Sequence, residues 1–142
     1  MNYVYDASFI IAIILPDEDN YKTDIIHDAL DDNDDVYIPQ LNWYETANVF
    51  RNLIRHKRFT ADEAAHFFSM LSFVNFKTDF ESGVNYSKKI WELACNYNLS
   101  AYDAAYLELA ERKKAVLCTL DDGLLKAAIK HGVKVAGAHN LH

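Results

Sequence analysis

Apolar and polar positions alternate along the chain in short strand-like runs and longer helical ones. Asn2–Tyr5 is β-prone and meets Asp6, and Ser8–Leu15 is strongly apolar and stopped by Pro16, which predicts a strand, an acidic turn and a helix. Tyr21–Leu30 places Ile25, Ile26 and Leu30 on one helical side, and Val36–Ile38 reads as a second strand ended by Pro39. From Leu41 to about His56 the 3.6-residue period puts Trp43, Ala47, Phe50 and Ile54 on one face, the expected core stripe of a long helix. Thr60-Ala61-Asp62-Glu63 is a capping box, opening a helix expected to bury Ala64, Phe67, Phe68 and Leu71.

The second half repeats the alternation. Phe73–Lys77 predicts a short strand, and Val84–Tyr97 a helix with Ile90, Trp91, Leu93 and Ala94 on its apolar side. Ser100-Ala101-Tyr102-Asp103 has capping-box spacing and starts a helix to about Lys113. The run Ala115–Thr119 is β-like, Asp122–His131 is helical with Gly132 as its C-cap, and Val133–Ala136 is a last strand. Strands separated by helices throughout predict a parallel sheet covered on both faces: a three-layer α/β/α sandwich, with residues 1–142 as one domain.

Composition supports a folded chain, with 51% apolar and 25% charged residues among 142. The longest apolar run, Ala7–Leu15, is shorter than the ~20 residues of a membrane helix, and no basic leader precedes it, so a cytoplasmic location without membrane association is expected. Cys95 and Cys118 lack zinc-site spacing and are expected to be small buried hydrophobes. The six histidines are scattered, each expected at the surface, and neither GxGxxG nor GxxxxGK[ST] occurs, which leaves dinucleotide binding and P-loop hydrolysis without support.

The net charge of −7 argues against a nucleic-acid partner until it is located. Nine acidic residues and one basic residue, Lys22, lie between Asp17 and Asp35, leaving 13 basic against 12 acidic residues elsewhere. An acidic lobe therefore leaves the remaining surface free for an anion. Arg51, Arg55, His56, Lys57 and Arg58 form a basic cluster near the end of the long helix. They either complement the helix dipole or meet a phosphate backbone.

In an open α/β sheet, ligands collect at the carboxyl ends of the strands. Asp6 and Asp121 follow strands, Asp103 opens a helix and Glu45 lies in the first turns of the long one, so four carboxylates can face one crevice. Read singly, each is also accounted for as a helix cap or dipole partner. Glu45, Asn48 and Asn52 fall within roughly 60° of arc on their helix, either as a solvated face or as one wall of a cleft. Converging carboxylates need a counter-charge, because unit charges ~4 Å apart repel by about 4 kcal/mol at an effective dielectric of 20. An all-oxygen set suits Mg²⁺, with Mn²⁺ as a substitute, and the waters that Mg²⁺ retains would supply a nucleophile for a phosphodiester.

Four segments carry a resemblance: V-Y-D-A-S-F-I-I (Val4–Ile11), P-Q-L-N-W-Y-E-T-A-N-V-F (Pro39–Phe50), L-S-A-Y-D-A-A-Y-L-E-L-A (Leu99–Ala110) and V-L-C-T-L-D-D-G-L (Val116–Leu124). In this order they resemble the PIN-domain nucleases, specifically the VapC-type toxins of toxin-antitoxin systems. The resemblance implies an acidic site on Asp6, Glu45, Asp103 and Asp121, with Asp6 and Asp103 binding Mg²⁺. It places hydroxyl partners at Ser8 and Thr119 and makes Asn48 a supporting residue; Arg51 and Arg55 are the candidate phosphate contacts. The T-x-D spacing selects Asp121 over adjacent Asp122. Asn98 stands where many relatives have Gly before L-S-A-Y-D.

The implied activity is Mg²⁺-dependent cleavage of RNA by a commonly dimeric protein, restrained by a VapB-type antitoxin in a toxin-antitoxin hetero-oligomer. Self-association is expected near Phe67–Phe73. Two other classes share parts of the pattern. A non-catalytic binding module would use the aromatic-rich helices, and a phospho-receiver domain fits worse because Ala7, not a second acid, follows Asp6.

Overall fold

A computed structural model describes residues 1–15 and 21–136. In chain order the elements are β1 (Asn2–Tyr5), α1 (Ala7–Ile14), α2 (Tyr21–Asp28), β2 (Asp35–Pro39), α3 (Leu41–Arg55) and α4 (Ala61–Leu71). There follow β3 (Phe76–Asp79), α5 (Val84–Tyr97), α6 (Ala101–Arg112), β4 (Val116–Cys118), α7 (Asp122–His131) and β5 (Val135–Ala136). The five strands form one sheet in the order β3-β2-β1-β4-β5, every pair parallel. Tyr5 pairs with Cys118 and Val4 with Tyr37, so β1 lies at the centre.

Alternation along β1 divides the core. Val4 joins Ile90, Leu93, Leu107, Leu117 and Leu124 under α5, α6 and α7. Its neighbour Tyr5 joins Phe9, Ile26, Ile38, Phe50, Phe67 and Cys118 under α1 to α4. Both are fully buried, as a central parallel strand requires. The sheet is thus covered on both faces, which is the expected three-layer sandwich. Among the described residues no helix is long and apolar enough to cross a membrane.

Several expectations need correction. The buried stripe of α3 is Asn42, Thr46 and Phe50; Trp43, Ala47 and Ile54 face outward. Asn42 and Thr46 satisfy each other and Tyr106 by hydrogen bonds, which removes the desolvation penalty that apolar counting assumes. Phe68 and Trp91 are exposed while Phe67, Ile90 and Leu93 fill the core. The third strand starts at Phe76, not Phe73, because the amides of Ser72, Phe73 and Val74 turn back to carbonyls of α4.

Ser100 caps α6 by accepting from the Asp103 amide, while Thr60 makes both bonds of its box. Cys95 is exposed, whereas Cys118 is buried. His27 and His131 are not plain surface residues: each ring Nδ1 meets a phenol, Tyr5 at 3.0 Å and Tyr97 at 2.7 Å. Pro16, the acids Asp17, Glu18 and Asp19, and His139 and His142 lie outside the described residues. Asn98 ends α5 at φ 52, the left-handed conformation that Gly takes freely and Asn tolerates, so the departure from Gly leaves the turn intact.

The edge strand β3 is tied to α6 by charge. Arg112 donates to both oxygens of Asp79 at 3.0 and 2.6 Å and to Glu108 at 2.6 Å, and this guanidinium holds the Asp79 carboxyl below its ordinary range. Glu108 is 2% exposed. Removing the arginine would leave a buried carboxylate without its partner, so Arg112→Ala is expected to lower stability by about 3 kcal/mol, read from urea denaturation.

Candidate active site

Asp6 leaves β1 as the N-cap of α1. Its amide donates to the Cys118 carbonyl at 3.1 Å, extending the β1–β4 ladder, and its Oδ1 accepts from the Phe9 amide at 2.9 Å. The capping account of Asp6 is therefore correct but incomplete. The side chain is almost fully buried, and two hydroxyls also donate to it: Ser8 to Oδ1 at 2.6 Å and Thr119 to Oδ2. Those hydroxyls accept in turn, Ser8 from the Leu120 amide at 3.1 Å and Thr119 from the Asp121 amide at 3.0 Å. The turns after β1 and β4 are thereby knotted around one carboxylate. A carboxylate has about four lone-pair positions, and three are taken here.

Asp121 caps α7 by accepting from the Leu124 amide at 2.8 Å, and Asp103 lies in the first turn of α6 behind the Ser100 cap. Glu45, on the second turn of α3, accepts at Oε1 from the Tyr106 phenol at 2.6 Å. That phenol accepts from Asn42 Nδ2 at 2.9 Å, and Asn42 Oδ1 accepts from Thr46 Oγ1 at 3.2 Å. Tyr106, Asn42 and Thr46 are contacts that the sequence reading missed. Tyr106 stands inside the S-A-Y-D-A-A-Y segment one turn after Asp103, and Asn42 and Thr46 are spaced i, i+4, but polar residues on an amphipathic helix are normally assigned to its solvated side.

The four acids feel one another. Burial raises the Asp6 carboxyl above its ordinary range, opposed by the Ser8, Thr119 and Phe9 hydrogen bonds, and the charge of Asp103 raises it further. Glu45 is raised by burial against the lowering Tyr106 bond, with further upward pushes from Asp103 and Asp6. Asp103 is raised by burial and then by the charge of Asp121. No lysine or arginine among the described residues forms an ion pair with any of the four.

The structure thus joins Asp6, Ser8 and Thr119 by hydrogen bonds, while Asp103 acts by charge on Asp6 and Glu45, and Asp121 acts on Asp103. Asn48, Arg51 and Arg55 are exposed on α3 and bond to none of the carboxylates; Arg51 Nη1 approaches Asn52 Oδ1 at 3.4 Å. Among the described residues no three or more His, Cys, Asp or Glu side chains are grouped closely enough to hold a metal ion between them. The donor set is nevertheless all oxygen, unneutralised by cationic side chains, with Asp6 retaining a free lone pair. This suits a hard cation that brings most of its ligands as water.

The PIN domain pattern matches residues 3–130. The chain belongs to the PIN-domain family. This PIN domain is 30% identical over 121 residues to Ribonuclease VapC3 of Pyrobaculum aerophilum, covering 85% of this chain and 90% of that protein. Its fold is similar to the crystal structure of PAE2754 from the same organism, with 28% identity, a TM-score of 0.67, and 89% of this chain and 87% of that one covered. It is also similar in fold to VapC20 of Mycobacterium tuberculosis, a sarcin-ricin loop cleaving toxin, at 15% identity and TM-score 0.67, covering 88% of this chain and 94% of that one.

Raised carboxylates bind protons more tightly folded than unfolded. Their favourable contribution is complete below the unfolded pKa and lost as pH rises through the folded one. In this PIN domain Asp103→Asn, which removes the charge and keeps the shape, is therefore expected to raise Tm at pH 7. The gain should vanish below about pH 4, where aspartate is protonated in both states. Thermal melts of both proteins between these limits provide the check.

Proposed function

We propose that the chain is the toxin component of a toxin-antitoxin system and acts as a Mg²⁺-dependent endoribonuclease. The observation that carries this reading is the carboxylate set itself: Asp6 is buried at the end of the central strand, the charge of Asp103 raises the proton affinity of Asp6 and Glu45, that of Asp121 raises Asp103, and among the described residues no lysine or arginine is ion-paired with any of them. Membership of the PIN family and similarity to Ribonuclease VapC3 support it.

Asp6 and Asp103 would hold Mg²⁺, with Mn²⁺ as a substitute. When bound, the ion would neutralise the carboxylates, polarise the scissile phosphate and make a water nucleophilic at neutral pH. The chain's own groups then have separate tasks. Ser8 and Thr119 fix the Asp6 carboxylate so that its remaining lone pair has one direction. Glu45 and Asp121 accept hydrogen bonds from the attacking water and orient it. Arg51 and Arg55 on exposed α3, with Asn48 beside them, contact phosphates flanking the cut. Tyr102, next to Asp103, and Phe80 are 65% and 71% exposed and offer faces on which unpaired bases stack.

The proposed protein partner is a VapB-type antitoxin that covers the carboxylates in a hetero-oligomer. A homodimer through exposed Phe68, Met70 and Phe73 is proposed beside it. Of these, Met70 lines a groove of about 500 Å³ together with Ile14, Asp62, Glu63, His66 and Phe67, none of which belongs to the acidic site. The reading places the protein in the cytoplasm with its RNA substrate.

Incubating total RNA with the purified protein and Mg²⁺ is expected to yield discrete cuts with 5′ phosphate and 3′ hydroxyl ends. Folded Asp6→Asn should lose at least two orders of magnitude in rate, and chelation should abolish cutting. Equal cleavage by that variant would remove the metal-site assignment. Absence of cutting by antitoxin-free wild type would favour a binding module instead.

A further inference from the structure

The hydrogen bonds behind Glu45 run in one direction, and that direction is forced. A carboxylate only accepts, so Tyr106 must spend its proton on Glu45 Oε1. Its oxygen then accepts, which turns the Nδ2 edge of Asn42 toward it and leaves Asn42 Oδ1 facing Thr46. Thr46 must donate to that oxygen, and it does so at 3.2 Å. Tyr106, Asn42 and Thr46 are each at most 1% exposed, so water cannot replace a missing donor. Burial and the adjacent Glu45 charge push the Tyr106 phenol far above its ordinary range and keep it a donor.

We propose that Thr46, Asn42 and Tyr106 form a directional chain that makes Tyr106 a positioning residue, clamping Glu45 Oε1 and presenting Oε2 to the substrate-side water. The inference deepens the nuclease reading and rests on it. Tyr106 also lies one turn along α6 from Asp103, so a single helix sets both an acid and the orientation of a second acid from α3. Thr46 bonds to no carboxylate, yet it holds the Asn42 amide in the orientation that Glu45 imposes. Without its hydroxyl the Asn42 amide can turn over, and Tyr106 can donate to Asn42 Oδ1 rather than to Glu45.

Steady-state cleavage of a short RNA oligonucleotide containing a mapped cut site tests this. Tyr106→Phe is expected to lower kcat by about 10–100-fold, the usual cost of removing a group that orients an active-site ligand, with KM changed less than about twofold. Thr46→Val should show a smaller loss of the same kind, and Thr46→Ser should restore the wild-type rate. Tyr106→Phe should add nothing in a Glu45→Gln background. If Tyr106→Phe does not fold, the Thr46 pair alone decides: equal kcat for Val, Ser and wild type would overturn the proposal.

Proton NMR gives a readout independent of activity. The buried Tyr106 hydroxyl should appear as a downfield, slowly exchanging resonance, absent in Tyr106→Phe, that moves upfield in Glu45→Gln and in Thr46→Val. A resonance indifferent to both substitutions would overturn the chain. If wild type cuts no RNA, the nuclease reading fails, and the resonance still decides the geometry separately.

Discussion

The organising contact is the enclosure of Asp6. Its carboxylate sits where the central strand ends, nearly excluded from water, and receives Ser8, the Phe9 amide and Thr119. Because Ser8 and Thr119 also accept from Leu120 and Asp121, the first and fourth strands cannot end in any other relation to each other. Three donors on one buried carboxylate keep it tolerable without a cation of the protein's own. They do not extend to its neighbours. Burial and like charge raise the proton affinity of Asp6, Asp103 and Glu45 beside the carboxyl end of the sheet.

The sheet holds this arrangement from both sides. Val4 and Tyr5 point to opposite cores, so α1 and α3 are seated on one face while α6 and α7 are seated on the other. Each of the four helices delivers or receives one acid: Asp6 caps α1, Asp121 caps α7, Glu45 rides on α3 and Asp103 on α6. Capping and function are therefore not competing explanations for Asp6 and Asp121. The same oxygen that satisfies an orphan amide also fixes where the charge sits.

Much of this was legible in the residues. The β-prone run Asn2–Tyr5, the Thr60 box, the Asp122–His131 helix and Gly132 all signal through local chemistry, which the structure preserves. Ser8 and Thr119 as hydroxyl partners of a carboxylate were legible as segments, and the carboxylate they meet is Asp6. What was hidden depends on tertiary pairing. The Asn42–Thr46 stripe of α3 reads as a solvated face until Tyr106 arrives from 64 positions away to satisfy it. Likewise Phe73 is strand-like in composition, but the hydrogen bonds of Ser72 to Val74 belong to the end of α4. The tyrosine partners of His27 and His131 are long-range for the same reason.

The central claim is that the acidic cluster carries repulsion that a divalent cation relieves. Melting the protein at pH 7 in increasing MgCl₂, at constant ionic strength, measures this without RNA. A ligand that binds only the folded state raises Tm with the logarithm of its concentration beyond Kd. Wild type is expected to show such a rise and Asp6→Asn none. A Tm that ignores Mg²⁺, or rises equally in both proteins, would contradict it.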